Sequence, residues 1–163
     1  MDEHVDLIGE AKRNWDAHGW AESDAMAAAT SITRAHQIVL ARINEALVPH
    51  GLTFARYEAL VLISFTRRGS LPMGKIGERL QVHPTSVTNA IDRLETAGLV
   101  RRKPHPTDRR TTLAEITEAG REAVSAATRD LAAIRYGMDN LGHATTRAVV
   151  ASLADLRRSA GDF

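Results

Sequence analysis

Apolar residues recur at helical spacing along most of this chain. Val5, Ile8, Lys12 and Trp15 fall in one row and Gly19 follows as a terminator, so a short helix is expected over residues 5–18. Ser23 or Asp24 then offers an N-cap for a long helix whose stripe is Ala28, Ile32, Ala35, Val39, Ile43 and Leu47 or Ala46, ending near Pro49. Thr53 precedes "FARYEALVLISF", apolar enough to read as a largely buried helix to Phe65. "RRGSLP" reads as a loop, with Pro72 at a favoured first helical position. Met73, Ile76 and Leu80 give two turns of helix, "VHPT" a turn, and Pro84 the first residue of a helix that runs to Ala97 and is stopped by Gly98.

The period then changes. "LVRRKPHPTDRRTTLAEI" has no helical stripe but carries two prolines and a Thr-Asp turn between strand-competent ends, which predicts a β-hairpin with its tip at His105–Arg109. Thr117 caps a further helix ended by Gly137, and "ATTRAVVASLADLRRSA" supplies a last one with Val149, Leu153 and Leu156 in line.

The helix that begins at Pro84 is unusual on its polar side. Val87, Ala90, Ile91 and Leu94 share one face, while the other opens with Thr85, Ser86, Thr88 and Asn89 and continues to Arg93, where a solvated helix would carry Glu and Lys. Helix, turn, helix, glycine stop and hairpin in this order are those of a winged helix-turn-helix. A helix laid in the major groove puts its first turns against base edges, which Ser, Thr and Asn can read, and its later side chains against phosphates, which suit Arg. The expected fold class is therefore mainly α with a small β-hairpin wing, flanked by further helices at both ends.

Charge supports that reading more than composition does. The 163 residues carry a net charge of only +1. Between Arg67 and Arg110, however, ten Lys/Arg face four Asp/Glu, while the remainder holds eleven basic and sixteen acidic residues. One stretch of chain is thus suited to a polyanion and the rest is not. The absence of cysteine excludes disulfides, thiolate metal sites and thiol redox chemistry. Nothing approaches transmembrane length and the acidic start is unlike a secretory signal, so a cytoplasmic protein with no membrane partner is expected. No nucleophile elbow, phosphate loop or dinucleotide fingerprint is present, and an enzyme is not expected.

The chain resembles the MarR (multiple antibiotic resistance regulator) family of transcription factors. "SVTNAIDRLETAGLVRR" (Ser86–Arg102) stands where that family has S-x-V-T-x-x-[VI]-D-R-L-E-x-x-G-L-V-x-R, "DRR" (Asp108–Arg110) where it has D-x-R, and "ITEAG" (Ile116–Gly120) where it has [LV]-T-x-x-G. The likeness runs from Ala25 to Leu156 and leaves residues 1–22 as an extension.

It implies one protomer over 1–163, with a winged lobe at 53–117 and dimerisation helices at 5–48 and 118–160. It further implies a homodimer that binds a palindromic operator in double-stranded DNA through Pro84, Thr85, Ser86, Thr88, Asn89, Arg93, Asp108, Arg109 and Arg110. Arg109 duplicates the family's wing arginine at Arg110, which leaves open which of the two enters the minor groove.

Family members commonly bind a small aromatic or carboxylic acid, so an anionic or phenolic effector is expected. Its candidate contacts are Trp15, Trp20, His36, Arg42, Arg56 and Tyr57, each with a plainer role as packing anchor, surface ion or core. A metal-sensing regulator and an architectural DNA-binding protein are the alternatives. The seven histidines have no helical pair spacing, so neither a metal nor any other cofactor is expected.

Overall fold

The computed structural model describes residues 5–163; His4 lies outside the described residues. Its contacts divide the chain into a first unit running to Ala41 and a second from Arg42 to Phe163.

In the first unit, α1 (Leu7–Ala17) starts where the Asp6 carboxylate accepts the N–H of Gly9 at 3.0 Å. A left-handed Gly19 and a left-handed Glu22 turn the chain into α2 (Ser23–Leu47), whose last six residues, from Arg42, belong to the second unit. Ser23 and Asp24 are the first residues of that helix. Their side chains face Lys12, which reaches Asp16 at 3.1 Å, Asp24 at 3.2 Å and the Ser23 hydroxyl at 3.2 Å. Trp15 donates its indole N–H to the Ala21 carbonyl at 2.9 Å and meets Trp20 edge-on, centroids 4.8 Å apart.

The second unit is built around α3 (Phe54–Ser64), which buries Tyr57, Ala59, Leu60 and Ile63. A single 3-10 turn, Val48–His50, joins it to α2. Thr53 occupies the N-cap position of α3, but its side chain makes no capping bond. The Asn44 Oδ1, reaching over from α2, accepts the Phe54 N–H at 2.8 Å instead.

After α3, Ser70–Pro72 form a strand, β1, although their sequence reads as loop. Three residues carry too little pattern to announce a strand, and what makes it one is pairing with β3 (Thr112–Ile116), Leu71 lying opposite Ala114. β2 (Val100–Pro104) pairs on the other side of β3, giving a three-stranded antiparallel sheet in the order β1-β3-β2. Because its residues are used by the strand, Pro72 stands one position ahead of α4 (Met73–Leu80) and not at its first helical residue. A left-handed Gln81 closes α4, and α5 (Pro84–Thr96) begins at Pro84 as the sequence predicts.

Gly98, at φ +72°, ends the α5 segment, and α6 (Glu118–Ala133) starts against the same point. The Thr117 hydroxyl donates to the Gly98 carbonyl at 2.8 Å and accepts the Gly120 N–H at 3.0 Å, while the Thr117 N–H donates to the Leu99 carbonyl at 3.0 Å. α6 stops four residues before Gly137. Arg135, Tyr136 and Gly137 are left-handed in succession (φ +48°, +53° and +78°), which non-glycine residues rarely adopt. Side chains hold them there: Arg135 donates to the Leu141 carbonyl at 2.5 Å, and Arg42 donates to the Gly137 carbonyl at 2.9 Å and pairs with Asp139 at 2.7 Å.

α7 (His143–Ser159) follows and buries none of its residues. The core lies between α3, α4, α5, α6 and the sheet, where Leu60, Ile63, Ile76, Ile91, Leu94 and Leu131 are fully buried. Among the described residues no helix is long and apolar enough to cross a membrane.

Two glycines test this packing. A Cβ on Gly120 would sit 2.2 Å from the Leu99 carbonyl oxygen, whereas one on Gly74 would meet nothing within 4 Å. Gly120→Ala should lower the unfolding free energy by about 1–3 kcal/mol or more, and Gly74→Ala should leave it unchanged or raise it by about 0.5–1 kcal/mol. Urea midpoints at constant slope check both.

Candidate nucleic-acid interface

The polar face of α5 is fixed by its apolar one. Val87, Ile91 and Leu94 are buried against the core, so Thr85, Ser86, Thr88, Asn89 and Arg93 all point to solvent. Thr85, Thr88, Asn89 and Arg93, with Asp92 and Thr96, line one shallow groove. The first turn of α5 leaves few backbone donors free. Pro84 has none, the Ser86 N–H donates to the His83 carbonyl at 2.9 Å, and the Thr85 N–H donates to the His83 Nδ1 at 3.2 Å. Thr88 is exposed and turns its hydroxyl back to the Pro84 carbonyl at 3.1 Å.

The far half of α5 is braced to the hairpin. The Arg102 guanidinium reaches Asp92 and Glu95, both at 2.6 Å, and the Arg102 N–H donates to the second oxygen of Glu95 at 2.9 Å. That backbone N–H first, and the guanidinium next, hold the Glu95 carboxyl below the usual carboxylate range. These residues are letters of a family pattern in the sequence. Their joint role as a brace becomes visible only once β2 is folded against α5.

At the wing, the chain leaves β2 at Pro104 and re-enters the sheet at Thr112, closed by the His105 N–H on the Thr111 carbonyl at 3.0 Å. The spacing of Asp108 and Arg110 suggests a carboxylate holding a guanidinium. In the structure Asp108 instead accepts the backbone N–H of Arg110 at 3.0 Å and the Thr111 hydroxyl at 2.6 Å. It shapes the turn and leaves the arginine head free, and the same two bonds, the hydroxyl foremost, hold its carboxyl below the usual range. Arg109 and Arg110 both project into solvent from this turn.

The ion pairs sharpen the charge pattern. Arg101 and Lys103 converge on Glu115, Arg102 is taken by Asp92 and Glu95, and Lys75 pairs with Glu78. Among the described residues no such partner falls to Arg93, Arg109 or Arg110. The unpaired cations of α5 and the wing are thus those assigned to DNA from the sequence.

The six effector candidates are divided between the two units. Trp15, Trp20 and His36 belong to the first unit, the tryptophans packing on one another at its corner and His36 exposed. In the second unit Arg42 is tied to Gly137 and Asp139, and Arg56 lies over the Gly51 carbonyl at 3.5 Å. Tyr57 is buried, its hydroxyl shared with Thr128 at 2.9 Å and Tyr136 at 3.1 Å. That contact, with burial, pushes the Tyr136 phenol up to about 12. Among the described residues no three His, Asp or Glu converge as a metal site would require.

A short helix, a turn and a second helix with a polar outward face, followed by a β-wing carrying unpaired arginines, make this a winged helix-turn-helix protein. The profile of the MarR family matches residues 52–112. The HTH-type transcriptional regulator MhqR of Bacillus subtilis is 35% identical over 89 residues, 55% of this chain and 60% of its own length. The crystal structure of Sco5413, a MarR family transcriptional regulator from Streptomyces coelicolor, shares 54% identity at a TM-score of 0.80 and covers 86% of this chain and 97% of that one. CouR from Rhodococcus jostii RHA1, solved bound to p-coumaroyl-CoA, shares 29% identity at a TM-score of 0.64, over 77% of this chain and 87% of its own. The chain belongs to the MarR family. It spans 48–60% of the length of the curated relatives it matches, and these are described as HTH-type transcriptional regulators or repressors.

The brace makes a pH prediction. A carboxyl held below its usual value contributes order that is complete above the ordinary carboxylate range and is lost as pH falls through the depressed value. The Arg102 amide of β2 should therefore stay protected from hydrogen exchange through the ordinary carboxylate range and lose protection only below it. In Glu95→Ala that protection should be reduced already at neutral pH, while a protected Arg102 amide would show that the sheet alone holds it.

Proposed function

We propose that this chain is a cytoplasmic, sequence-specific repressor that binds a palindromic site in double-stranded DNA as a homodimer and is released by a small aromatic or carboxylic acid. The observation that carries the reading is the outward row of Thr85, Ser86, Thr88 and Asn89 followed by Arg93, on a helix whose opposite side is sealed in the core. Short hydroxyl and amide side chains discriminate base edges, and the unpaired arginines of helix and wing supply phosphate and minor-groove contacts without sequence preference of their own. Asp108 serves by presetting the turn that carries Arg109 and Arg110.

Pairing is supported by what this protomer leaves uncovered. Val150 is 63% exposed, Leu153 37% and Leu156 53%, all on α7, and Ile32 and Ile38 of α2 are also exposed. A stripe of this kind on helices that bury little of themselves is an interface in want of its second half. Two copies joined there present two α5 helices to successive major grooves about 34 Å apart. Response to an aromatic organic ligand is supported by the relative CouR, solved bound to p-coumaroyl-CoA, the thioester of an aromatic acid.

Selection of duplexes from a random pool, followed by binding titrations, tests the reading. Asn89→Ala should weaken the selected duplex by about 1–3 kcal/mol and leave a scrambled duplex unchanged, and equal losses on both would remove Asn89 from base reading. Arg110→Ala should abolish most binding to the selected duplex, with a larger loss for Arg109→Ala moving the minor-groove contact to that residue. Leu153→Glu together with Val150→Glu should convert a dimer to monomer in sedimentation. If the stripe faces only water, the pair should change neither mass nor stability by more than about 0.5 kcal/mol. An acid that raises the melting temperature should weaken DNA binding by the same factor by which DNA weakens its own binding.

A further inference from the structure

Two histidines hold corresponding places in the two elements that face the proposed DNA. His83 is the N-cap of α5, its Nδ1 accepting the Thr85 N–H at 3.2 Å. His105 opens the wing loop, its Nδ1 accepting the N–H of Thr107 at 3.3 Å and of Asp108 at 3.2 Å. The Thr107 hydroxyl lies 3.3 Å from the same nitrogen. A backbone N–H can only donate, so the ring nitrogen it faces must present a lone pair. The geometry at both rings is that of an Nδ1 acting as acceptor, which an imidazole can supply only with its proton on Nε2. An N-cap is usually Ser, Thr, Asp or Asn, which accept this bond throughout the neutral range, whereas histidine accepts it through Nδ1 only while uncharged.

We propose that His83 and His105 are positioning residues that hold the first turn of α5 and the tip of the wing in their reading geometry only as neutral imidazoles, so that discrimination between DNA sequences falls as pH drops through the histidine range. The inference rests on the DNA-reading function proposed above. Protonation puts an N–H on Nδ1 directly against the N–H groups it had accepted. At His83 it also places a positive charge at the positive end of the α5 dipole. The released N–H groups and the added charges attract any phosphate regardless of sequence, so non-specific binding holds or rises while base reading is lost. The measurable consequence is the ratio of the two affinities, not either alone.

The surrounding groups leave this pH window to the imidazoles. Ahead of His83, α4 carries Lys75, Glu78 and Arg79, the first two paired at 2.6 Å, and Gln81 donates to Asp162 at 2.7 Å, a carboxylate that also pairs with Arg157. Beside His105, Asp108 is held below the usual range by the Thr111 hydroxyl and the Arg110 N–H, Arg109 and Arg110 share its loop, and Lys103 on β2 is paired with Glu115. Glu95 and Glu115 are held down as well, by Arg102 and by Lys103 with Arg101. Among the described residues, Glu58 on α3 is the carboxylate that desolvation pushes upward, towards the window, and a Glu58→Gln background removes it.

The test compares a duplex selected at about pH 8 with its scrambled counterpart, at constant ionic strength, at about pH 8 and about pH 5.5. In the wild type and in E58Q the selected-to-scrambled affinity ratio should fall about tenfold, the scale of losing helix and loop caps. In H83N/H105N, where the amide oxygen can accept the same N–H groups at either pH, the ratio should change by less than about twofold. A flat ratio in the wild type, or the same fall in the double variant, overturns the proposal. Nitrogen-15 spectra of the DNA-free protein decide the premise separately: both rings should carry the proton on Nε2 at about pH 8, and the Thr85, Thr107 and Asp108 amides should shift as the rings titrate. A proton on Nδ1 at that pH overturns the proposal whatever the DNA result. Failure of the selection to enrich any sequence counts against the DNA-reading function alone, and the amide titration still decides the caps.

Discussion

Everything that faces outward on α5 depends on what faces inward. Val87, Ile91 and Leu94 are sealed in the core, and each such side chain contributes about 1.5–3 kcal/mol by leaving water. Rolling the helix by one residue, 100° about its axis, would expose that surface and bury hydroxyls and an amide without partners. The polar row is therefore held in place by the hydrophobic contacts behind it, and its own hydrogen bonds need not supply any of that rigidity. That leaves Thr85, Ser86 and Asn89 at liberty to be chosen for an external partner.

Electrostatics divides the basic stretch in the same manner. Arg101, Arg102 and Lys103 look, in the sequence, as suited to DNA as any other run of cations. The fold spends all three on Glu115, Glu95 and Asp92, which join the hairpin to itself and to α5. Such exposed or half-exposed pairs add little to stability one by one. Their value is geometric, because a bidentate guanidinium fixes the angle between reading helix and wing.

Much of the architecture was legible because the patterns that specify it are local. The stripe of α5, Pro84 at its start, Gly98 past its end, the loss of helical period from Leu99 and the Thr117 cap each signal within a few residues. What was not legible depends on partners distant in sequence. β1 is a strand only because β3 lies beside it, and the cap of α3 comes from Asn44 rather than from its neighbour Thr53. The left-handed Arg135 and Tyr136 contradict local preference and persist through Arg42, Leu141 and Tyr57. At the interface, the outward residues could be named from periodicity alone. The Arg102 brace and the histidine caps had no sequence signal, since a salt bridge across elements has no spacing rule and histidine is an uncommon cap. Asp108 was singled out for its spacing to Arg110, and it does bond that residue, through the backbone instead of the side chain.

The knot at Thr117 has a mechanical consequence. One hydroxyl bridges the residue that ends α5 and the first turn of α6, and Gly120 lies so close to the Leu99 carbonyl that no side chain fits between them. A joint with neither slack nor compressible filling transmits displacement without damping it. A tilt imposed on the far end of α6 would reach the end of α5 through this joint.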